Sequence, residues 1–145
     1  DYNKVLDSLI FNYDQRHLKD VKAISVRLRD AYVQRAYQAD MLSHHIKTSP
    51  YPVIVCGDFN DTPFSYCYHR LSRGLQDAFI ASGSGMGNTY RQSIAPIRID
   101  YILYSPSLKS FHFSSRKTDW SDHYPVRCDF TFLKKADASG QHSPR

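Results

Sequence analysis

Hydrophobic and polar positions alternate at helical spacing over the first third of the chain. Residues 1–24 carry apolar positions that predict a short helix, which we expect to be followed by a charged connection. Between Ser25 and Lys47, apolar residues recur at helical spacing and no glycine or proline interrupts them. This second stretch predicts a longer helix, which ends where the two prolines of residues 48–52 cannot continue it.

The pattern then changes to a continuous β-branched run, "VIVCGDFN" at residues 53–60. Such a run is typical of a strand covered on both faces. Thr62 and Pro63 follow, and these residue types suit the N-cap and the first position of a helix. The sequence therefore predicts a strand that leads into a helix from about Pro63 to Ser72.

The remainder of the chain favours strands separated by polar loops. The predicted strands cover residues 89–91, 97–105, about 109–114 and 125–132. The order of helix, strand, helix and several strands suits an α/β sandwich in which helices cover a sheet of mixed direction. We assign this domain to residues 25–133, after a variable helical or loop lead-in at 1–24 and before a disordered tail at 134–145.

Length and charge indicate a single domain with a preference for anionic partners, but they do not indicate one particular function. The chain has 145 residues, enough for one domain with a core, and a net charge of +5, which favours anionic partners such as phosphate esters. No apolar run approaches the roughly 20 residues of a membrane-spanning helix. The three cysteines show no metal-ligand spacing and are interpreted as reduced thiols. The sequence starts at Asp1 without methionine, so we expect a partial chain, and localisation stays open, an upstream membrane tether included.

Acidic, amide and imidazole side chains lie at or near the ends of the predicted strands. Asp58 and Asn60 follow the first strand, Asp100 interrupts an apolar strand, and Asp122 and His123 stand at the mouth of the last one. Each group alone also suits a turn cap, a solvated loop or a satisfied structural carboxylate. Together they favour one site, because open α/β sheets bind ligands at strand ends.

These residue types match the hydrolysis of a phosphoester. The reaction needs a hard divalent cation held by carboxylates, donors for the charge on phosphate oxygens, and a base that activates water. Asn60 and His123 suit the second requirement, and an imidazole oriented by an aspartate suits the third.

Three ordered motifs resemble the C-terminal half of the endonuclease/exonuclease/phosphatase superfamily, which has the deoxyribonuclease-I-like fold. They are "GDFNDTP" at 57–63, "RIDYIL" at 98–103 and "SDHYPV" at 121–126, and the surrounding phrases are most similar to bacterial members. The resemblance implies half of a four-layer α/β sandwich, with a mixed β-sheet flanked by helices. It implies Mg²⁺ or Mn²⁺ as the cofactor and a phosphoester as the substrate.

The resemblance also implies a role for each matching residue. Asp58 would contact the attacking water or the leaving group, and Asn60 would hydrogen-bond the scissile phosphate. Asp100 would orient the histidine, and His123 would act as general base or phosphate ligand. Asp122 would lie on or near the metal.

One departure from the family pattern concerns the first half of the fold. That half supplies a metal-binding glutamate, yet all 14 acidic residues of this chain are aspartates. Residues 1–24 do not resemble the early strands of the family either. We therefore expect the N-terminal half of the same domain to be missing, and the isolated fragment to bind metal weakly and turn over poorly.

The predicted function is a metal-dependent phosphoester hydrolase, either a phosphodiesterase or nuclease, or a phosphatase. A non-catalytic phosphate- or nucleic-acid-binding module of the same fold is the alternative. Nucleic acid, a phospholipid headgroup and a sugar phosphate all stay open as substrates. Trp120, just before the last motif, suits either the rim of a substrate cleft or core packing.

Overall fold

The computed structural model describes residues 2–133, with side chains from Lys22 onward. The predicted tail at 134–145 lies outside the described residues. The first element is a single helix, α1, at Tyr2–Thr48. The expected charged connection after a short first helix is therefore wrong, because residues 2–48 contain no glycine or proline and charged residues are compatible with a helix.

The backbone divides into two compact units, Asp1–Ala39 and a second one that starts at Asp40. The first unit consists of most of α1. The second unit contains every other element and all five predicted site residues. The domain boundary predicted at residues 24 and 25 stays a prediction.

The second unit contains five strands and two short helices after α1. They are β1 Ile54–Asp58, α2 Tyr66–Leu71, β2 Gln76–Asp77, α3 Ala78–Ser82, β3 Asp100–Tyr104, β4 Leu108–Ser115 and β5 Val126–Phe132. The predicted strands at 97–105, 109–114 and 125–132 are confirmed as β3, β4 and β5. The sequence predicts no helix where α3 forms, and the second predicted strand, at residues 89–91, is reduced to a bridge between Tyr90 and His123.

The strands form a three-stranded sheet in the order β1-β3-β2 and a two-stranded sheet of β4 and β5. All strand pairs in the described chain are antiparallel. The α/β class is confirmed, but the expected mixing of strand directions is not seen in residues 2–133. The reason is that β1 and β2 run in the same direction on opposite sides of β3, so they are not neighbours.

Strand β1 differs from the expectation of a strand covered on both faces. It lies at the edge of its sheet, and only Val55 of its five residues is partly buried. Ile54 is 46% exposed and Cys56 is exposed. The apolar run predicted a strand correctly, but it did not predict what covers the strand.

The core lies around the central strand β3. Tyr101, Leu103 and Tyr104 are almost completely buried there. The apolar cluster extends to Leu108 and to the partly buried Phe130, whose ring lies 5.1 Å from that of Tyr104. Burial of these rings fixes β3 as the central strand of its sheet, and β3 begins at Asp100, one of the predicted site residues.

Helix α2 begins later than the sequence predicts. Its N-cap is Ser65, whose side chain accepts a hydrogen bond from the backbone N–H of Tyr68. Thr62 instead closes a turn, because its carbonyl accepts from the N–H of Ser65 at 3.0 Å. Both residue types make good caps, and the turn after Asn60 selects the second one.

A buried ion pair joins β2 to the segment that precedes β3. The guanidinium of Arg98 lies 2.6 Å from the carboxylate of Asp77, with side chains 6% and 4% exposed. The Tyr68 hydroxyl donates to the same carboxylate at 2.8 Å, and the other oxygen of Asp77 caps α3 at Phe79. Every oxygen of this buried carboxylate therefore has a partner.

Within residues 2–133, none of the helices combines the length and the apolar content that crossing a lipid bilayer requires.

Candidate functional site

Asp58 and Asp100 lie opposite each other at one end of the three-stranded sheet. Asp58 is the last residue of β1 and Asp100 the first of β3, and the antiparallel register pairs them directly. The backbone pairing of the two strands extends one residue beyond Asp58 and Asp100, since the N–H of Phe59 donates to the carbonyl of Ile99 at 2.8 Å. Strand pairing thus brings together two carboxylates that are far apart in the sequence.

His123 reaches the same place through the segment that precedes β5. It forms an antiparallel bridge with Tyr90, and the rings of the two residues lie 5.1 Å apart. The next residue, Tyr124, donates its N–H to the carbonyl of Thr89 at 2.8 Å. The imidazole Nδ1 then lies 2.9 Å from Oδ2 of Asp100.

This geometry determines the tautomer of the imidazole. An ionised carboxylate can only accept a hydrogen bond, so Nδ1 of His123 carries the proton and donates it to Asp100. The second ring nitrogen, Nε2, is then a proton acceptor whenever the ring is neutral. The hydrogen bond to Asp100 raises the pKa of His123 above its ordinary value, against a lowering by burial, and the negative charges of Asp100, Asp58 and Asp122 add to the rise.

The turn after β1 is built on the Asp58 side chain. Its Oδ1 accepts from the backbone N–H of Asn60 at 2.7 Å, and its Oδ2 accepts from the Asn60 side-chain amide at 2.8 Å. Asn60 has a φ of 49°, in the left-handed region that asparagine tolerates better than most residues. Asp58 therefore caps a turn and also lies at the candidate site. Its sequence allowed either interpretation, a turn cap or a site residue, and the structure shows that one side chain can have both positions.

Two buried hydroxyl groups form hydrogen bonds with the backbone next to the site residues. Tyr101 is fully buried, and its hydroxyl lies 2.8 Å from the carbonyl of Asp61 in the turn after β1. Thr89 is also fully buried, and its Oγ1 accepts from the N–H groups of Ile99 and Asp100 at 3.0 and 3.1 Å. Burial raises the pKa of the Tyr101 phenol, so this hydroxyl remains a donor at neutral pH.

Asp122 occupies an exposed position beside His123. Its backbone carbonyl accepts from the N–H of Arg91 at 2.8 Å, which ties the loop to the segment next to Thr89. Its carboxylate does not belong to the group formed by Asp58, Asp100 and His123 in the described chain. Asp122 as the metal ligand stays a prediction.

A divalent cation fits the three grouped side chains. One potential ligand atom from each of Asp58, Asp100 and His123 lies within 4.8 Å of the others. Two carboxylates at this separation repel each other, and a bound cation removes the repulsion. Carboxylate oxygens are also the donors that Mg²⁺ and Mn²⁺ prefer. The residues present therefore fit the predicted cofactor class.

The structure thus brings four of the five predicted residues to one end of the three-stranded sheet. Asp58, Asn60, Asp100 and His123 are joined by hydrogen bonds or lie within the same group, and Asp122 is adjacent to His123 along the chain.

Three residues that support the site could not be assigned to it from the sequence. Thr89, Tyr90 and Tyr101 hold the backbone or ring positions of the site residues without being acidic or basic themselves. A short strand predicted at residues 89–91 was the only sign that Thr89 and Tyr90 belong near the site. For Tyr101, the neighbouring Asp100 was the only sign.

Comparison with known proteins identifies the family. A family model described as Endonuclease/Exonuclease/phosphatase family matches residues 7–123. No curated protein matches the chain.

Solved structures show the same fold. A mannosyl-6-phosphatase from Bacteroides thetaiotaomicron has a TM-score of 0.52 at 23% identity, over 71% of this chain and 46% of that one. A functionally unknown protein from Enterococcus faecalis has a TM-score of 0.62 at 18% identity, over 70% and 46%. The human Nocturnin catalytic domain, with bound sulfate, has a TM-score of 0.55 at 26% identity, over 72% and 42%.

The chain spans less than half the length of each of these structures. The family model nevertheless matches well over half of the chain, and Asp58, Asp100 and His123, one from each of the three motifs, meet at one end of a sheet. The chain belongs to the endonuclease/exonuclease/phosphatase family and has the α/β fold of its deoxyribonuclease-I-like members.

Proposed function

We propose that the protein to which this chain belongs hydrolyses phosphoesters with the help of a divalent cation. The observation that carries the proposal is the hydrogen bond of 2.9 Å between His123 and Asp100, beside the carboxylate of Asp58. An imidazole held in one tautomer next to a cluster of carboxylates is the arrangement that activation of a water molecule requires.

His123 is the general base in this proposal. Its Nε2 accepts a proton from the water that attacks phosphorus, while Nδ1 remains hydrogen-bonded to Asp100. Asp100 stabilises the imidazolium that results and keeps the ring in place. Asp100 raises the pKa of His123, so the neutral imidazole, which is the form that can act as a base, becomes predominant at a higher pH than in an ordinary histidine.

Asp58 and Asn60 act on the phosphate and on the groups bonded to it. The amide of Asn60 uses one of its two N–H groups to donate to Asp58 at 2.8 Å, and the other can donate to a phosphate oxygen. The carboxylates of Asp58 and Asp100 would hold Mg²⁺ or Mn²⁺, with Asp122 as a further predicted ligand, and the cation would supply positive charge for the phosphate oxygens. Asp58 positions the water or the leaving group against phosphorus.

The same proposal includes a second half of the domain outside this chain. The exposed edge strand β1, with Ile54 and Cys56 open to solvent, supports it. The absence of any glutamate in the sequence supports it as well, because the family resemblance implies a metal-binding glutamate in the first half. We infer that a fragment with the present sequence alone binds metal weakly.

The alternative is a binding module that has kept the fold but not the hydrolysis. The intact set of Asp58, Asn60, Asp100 and His123 favours hydrolysis over that alternative, because a module that only binds phosphate does not need an oriented base. A sugar phosphate, a nucleic acid and a phospholipid headgroup all remain substrates that this centre could serve.

The test uses the full-length protein stripped of metal and then supplied with Mg²⁺ or Mn²⁺. Release of 4-nitrophenol from 4-nitrophenyl phosphate and its bis ester would be measured for the wild type, His123→Ala and Asp58→Asn. We expect both variants to lose about 100-fold or more in rate, and metal removal to abolish turnover. His44→Ala, an exposed histidine on α1, is the matched control and should be unaffected. Full activity of His123→Ala would overturn the role of His123 as general base, whereas a wild type without metal-dependent turnover would favour the binding module.

A further inference from the structure

A cleft of about 800 Å³ opens beside the catalytic pair. Asp100 and His123 line one side of it, and the loop at residues 116–121 lines the other. Its volume is in the range of clefts that bind small organic ligands. The cleft is therefore large enough for the group that is esterified to a phosphate at His123.

The loop at 116–121 is anchored at several points. The N–H of Arg116 donates to the carbonyl of Pro125 at 3.2 Å, and the carboxylate of Asp119 pairs with Arg91 at 2.9 Å. At its end, the N–H of His123 donates to the hydroxyl of Ser121 at 3.1 Å. These bonds connect the loop directly to the backbone of the catalytic histidine.

The charge of the cleft is positive on the loop side. Arg116 and Lys117 are exposed, and in the part of the chain that the structure describes neither side chain has an ion-pair partner. The one acidic residue of the loop, Asp119, is already paired with Arg91. Two cations are thus available to an anionic group in the cleft.

The same loop presents an aromatic ring. Trp120 is 98% exposed and lines the cleft. No ring contact of Trp120 occurs among the described residues. A tryptophan that is exposed in this way adds little to folding, whereas its indole can stack on a planar ring or attract a cation.

We infer that the Trp120 loop is a specificity site for the organic part of the substrate, and that it takes a phosphoester bearing a planar aromatic ring and a second anionic group. The ring stacks on Trp120, the second anion pairs with Arg116 and Lys117, and the scissile phosphate lies at His123. This inference rests on the proposed function for the chemistry at His123, but the binding that it describes needs no turnover.

Binding would be measured without catalysis, in the full-length protein with a chelator present. Trp120 is the only tryptophan of these 145 residues, so its fluorescence reports on the cleft, and Trp120→Phe gives the background from the remaining sequence. The probes are ethyl phosphate, phenyl phosphate and 1,4-phenylene bisphosphate. We expect the two aryl phosphates to quench Trp120 and the bisphosphate to bind more tightly. The Arg116→Ala/Lys117→Ala double variant should lose the advantage of the bisphosphate.

Turnover gives a second readout with the metal restored. Trp120→Ala should lower the ratio of kcat/KM for phenyl phosphate to that for ethyl phosphate by about tenfold, and Trp120→Phe should recover most of it. Comparing this ratio between the variant and the wild type cancels the different intrinsic reactivities of the two esters. The free energy of unfolding should not change in Trp120→Ala, since the side chain is exposed.

Three results would overturn the inference. They are equal quenching by ethyl and phenyl phosphate, an unchanged aryl-to-alkyl ratio in Trp120→Ala, and destabilisation of the full-length protein by that variant, which would mean that other parts of the protein cover the ring. An active His123→Ala enzyme would instead overturn the proposed function, and the quenching experiment would still stand on its own.

Discussion

The hydroxyl oxygen of Thr89 accepts a hydrogen bond of 3.1 Å from the backbone N–H of Asp100. It accepts a second one of 3.0 Å from Ile99, and Thr89 itself is fully buried. One uncharged side chain thus fixes the first residue of β3, from which the carboxylate reaches His123. The backbone carbonyl of Thr89 also accepts from the N–H of Tyr124, so the positions of both Asp100 and His123 depend on this residue.

Replacing Thr89 with valine should therefore harm both stability and the site. The substitution keeps the shape but takes the Thr89 acceptor from the buried N–H of Ile99, which costs about 1–3 kcal/mol, and from the partly buried N–H of Asp100, which costs less. Thr89→Ser keeps the hydroxyl and is the matched control. Chemical denaturation measures the difference, and near-equal free energies of unfolding for the valine and serine variants would contradict the role of the hydroxyl.

The hydrogen bond between Asp100 and His123 predicts a shift in the titration of the imidazole. In the metal-free protein the pKa of His123 lies above its ordinary value of 6.5, chiefly because of this bond. The protonated ring therefore stabilises the fold fully below about pH 6.5, and this contribution is lost as the pH rises through the higher folded-state pKa. An NMR titration of the ring protons should show the raised midpoint.

Asp100→Asn is the variant that tests the cause of the shift. The amide keeps the size of the side chain and removes the charge, so the midpoint of His123 should fall toward its ordinary value. His44, exposed on α1, serves as an internal reference in both proteins. An unchanged His123 midpoint in Asp100→Asn would mean that Asp58 and Asp122 cause the shift.

Asn60 combines a backbone role and a side-chain role that two substitutions can separate. Its φ of 49° suits glycine, while its amide donates to Asp58. Asn60→Gly should leave the free energy of unfolding almost unchanged and still reduce phosphoester hydrolysis. Asn60→Ala should be about 1–2 kcal/mol less stable than Asn60→Gly, because alanine has a Cβ that this conformation disfavours and lacks the local side-chain hydrogen bond of asparagine. Equal stability of the two variants would show that the turn imposes no conformational demand.

The sequence predicts the chemistry of this site better than its surroundings. Each acidic or imidazole group at a strand end also has structural uses, but together they favour one site, so Asp58, Asp100 and His123 could be assigned to one centre before any coordinates. The pairing register that brings Asp58 and Asp100 opposite each other depends on contacts between distant segments. It could be expected only from the family resemblance.

Local patterns were less reliable where two residues compete for one role. Thr62 and Ser65 both suit an N-cap, and tertiary structure selects Ser65. The apolar run of β1 predicted a strand but not its exposed edge, because hydrophobicity does not determine which part of the protein covers a strand. Thr89 and Tyr101 escaped notice since a hydroxyl becomes important only through its buried partners.

The buried pair of Arg98 and Asp77 makes the strongest prediction on stability. Asp77→Ala leaves the guanidinium buried between aromatic rings, 4.6 Å from the ring centre of Tyr101, without its anionic partner. It also removes the cap of α3 and the acceptor of the Tyr68 hydroxyl. We expect a loss of about 3–5 kcal/mol in the free energy of unfolding.

The matched control is Asp30→Ala, which removes an ion pair whose side chains are 61% and 76% exposed and should cost less than about 1 kcal/mol.

Arg98→Met on its own leaves the carboxylate buried, although Tyr68 still donates to it, so its cost should be smaller than that of Asp77→Ala. The effect should extend to the site, because the Tyr101 hydroxyl lies 2.8 Å from the carbonyls of both Arg98 and Asp61. Loosening Arg98 therefore disturbs the turn that carries Asp58, and hydrolysis should fall in Arg98→Met even at temperatures where the protein stays folded. Full activity in that variant would mean that Asp58 is held by its own strand and turn alone.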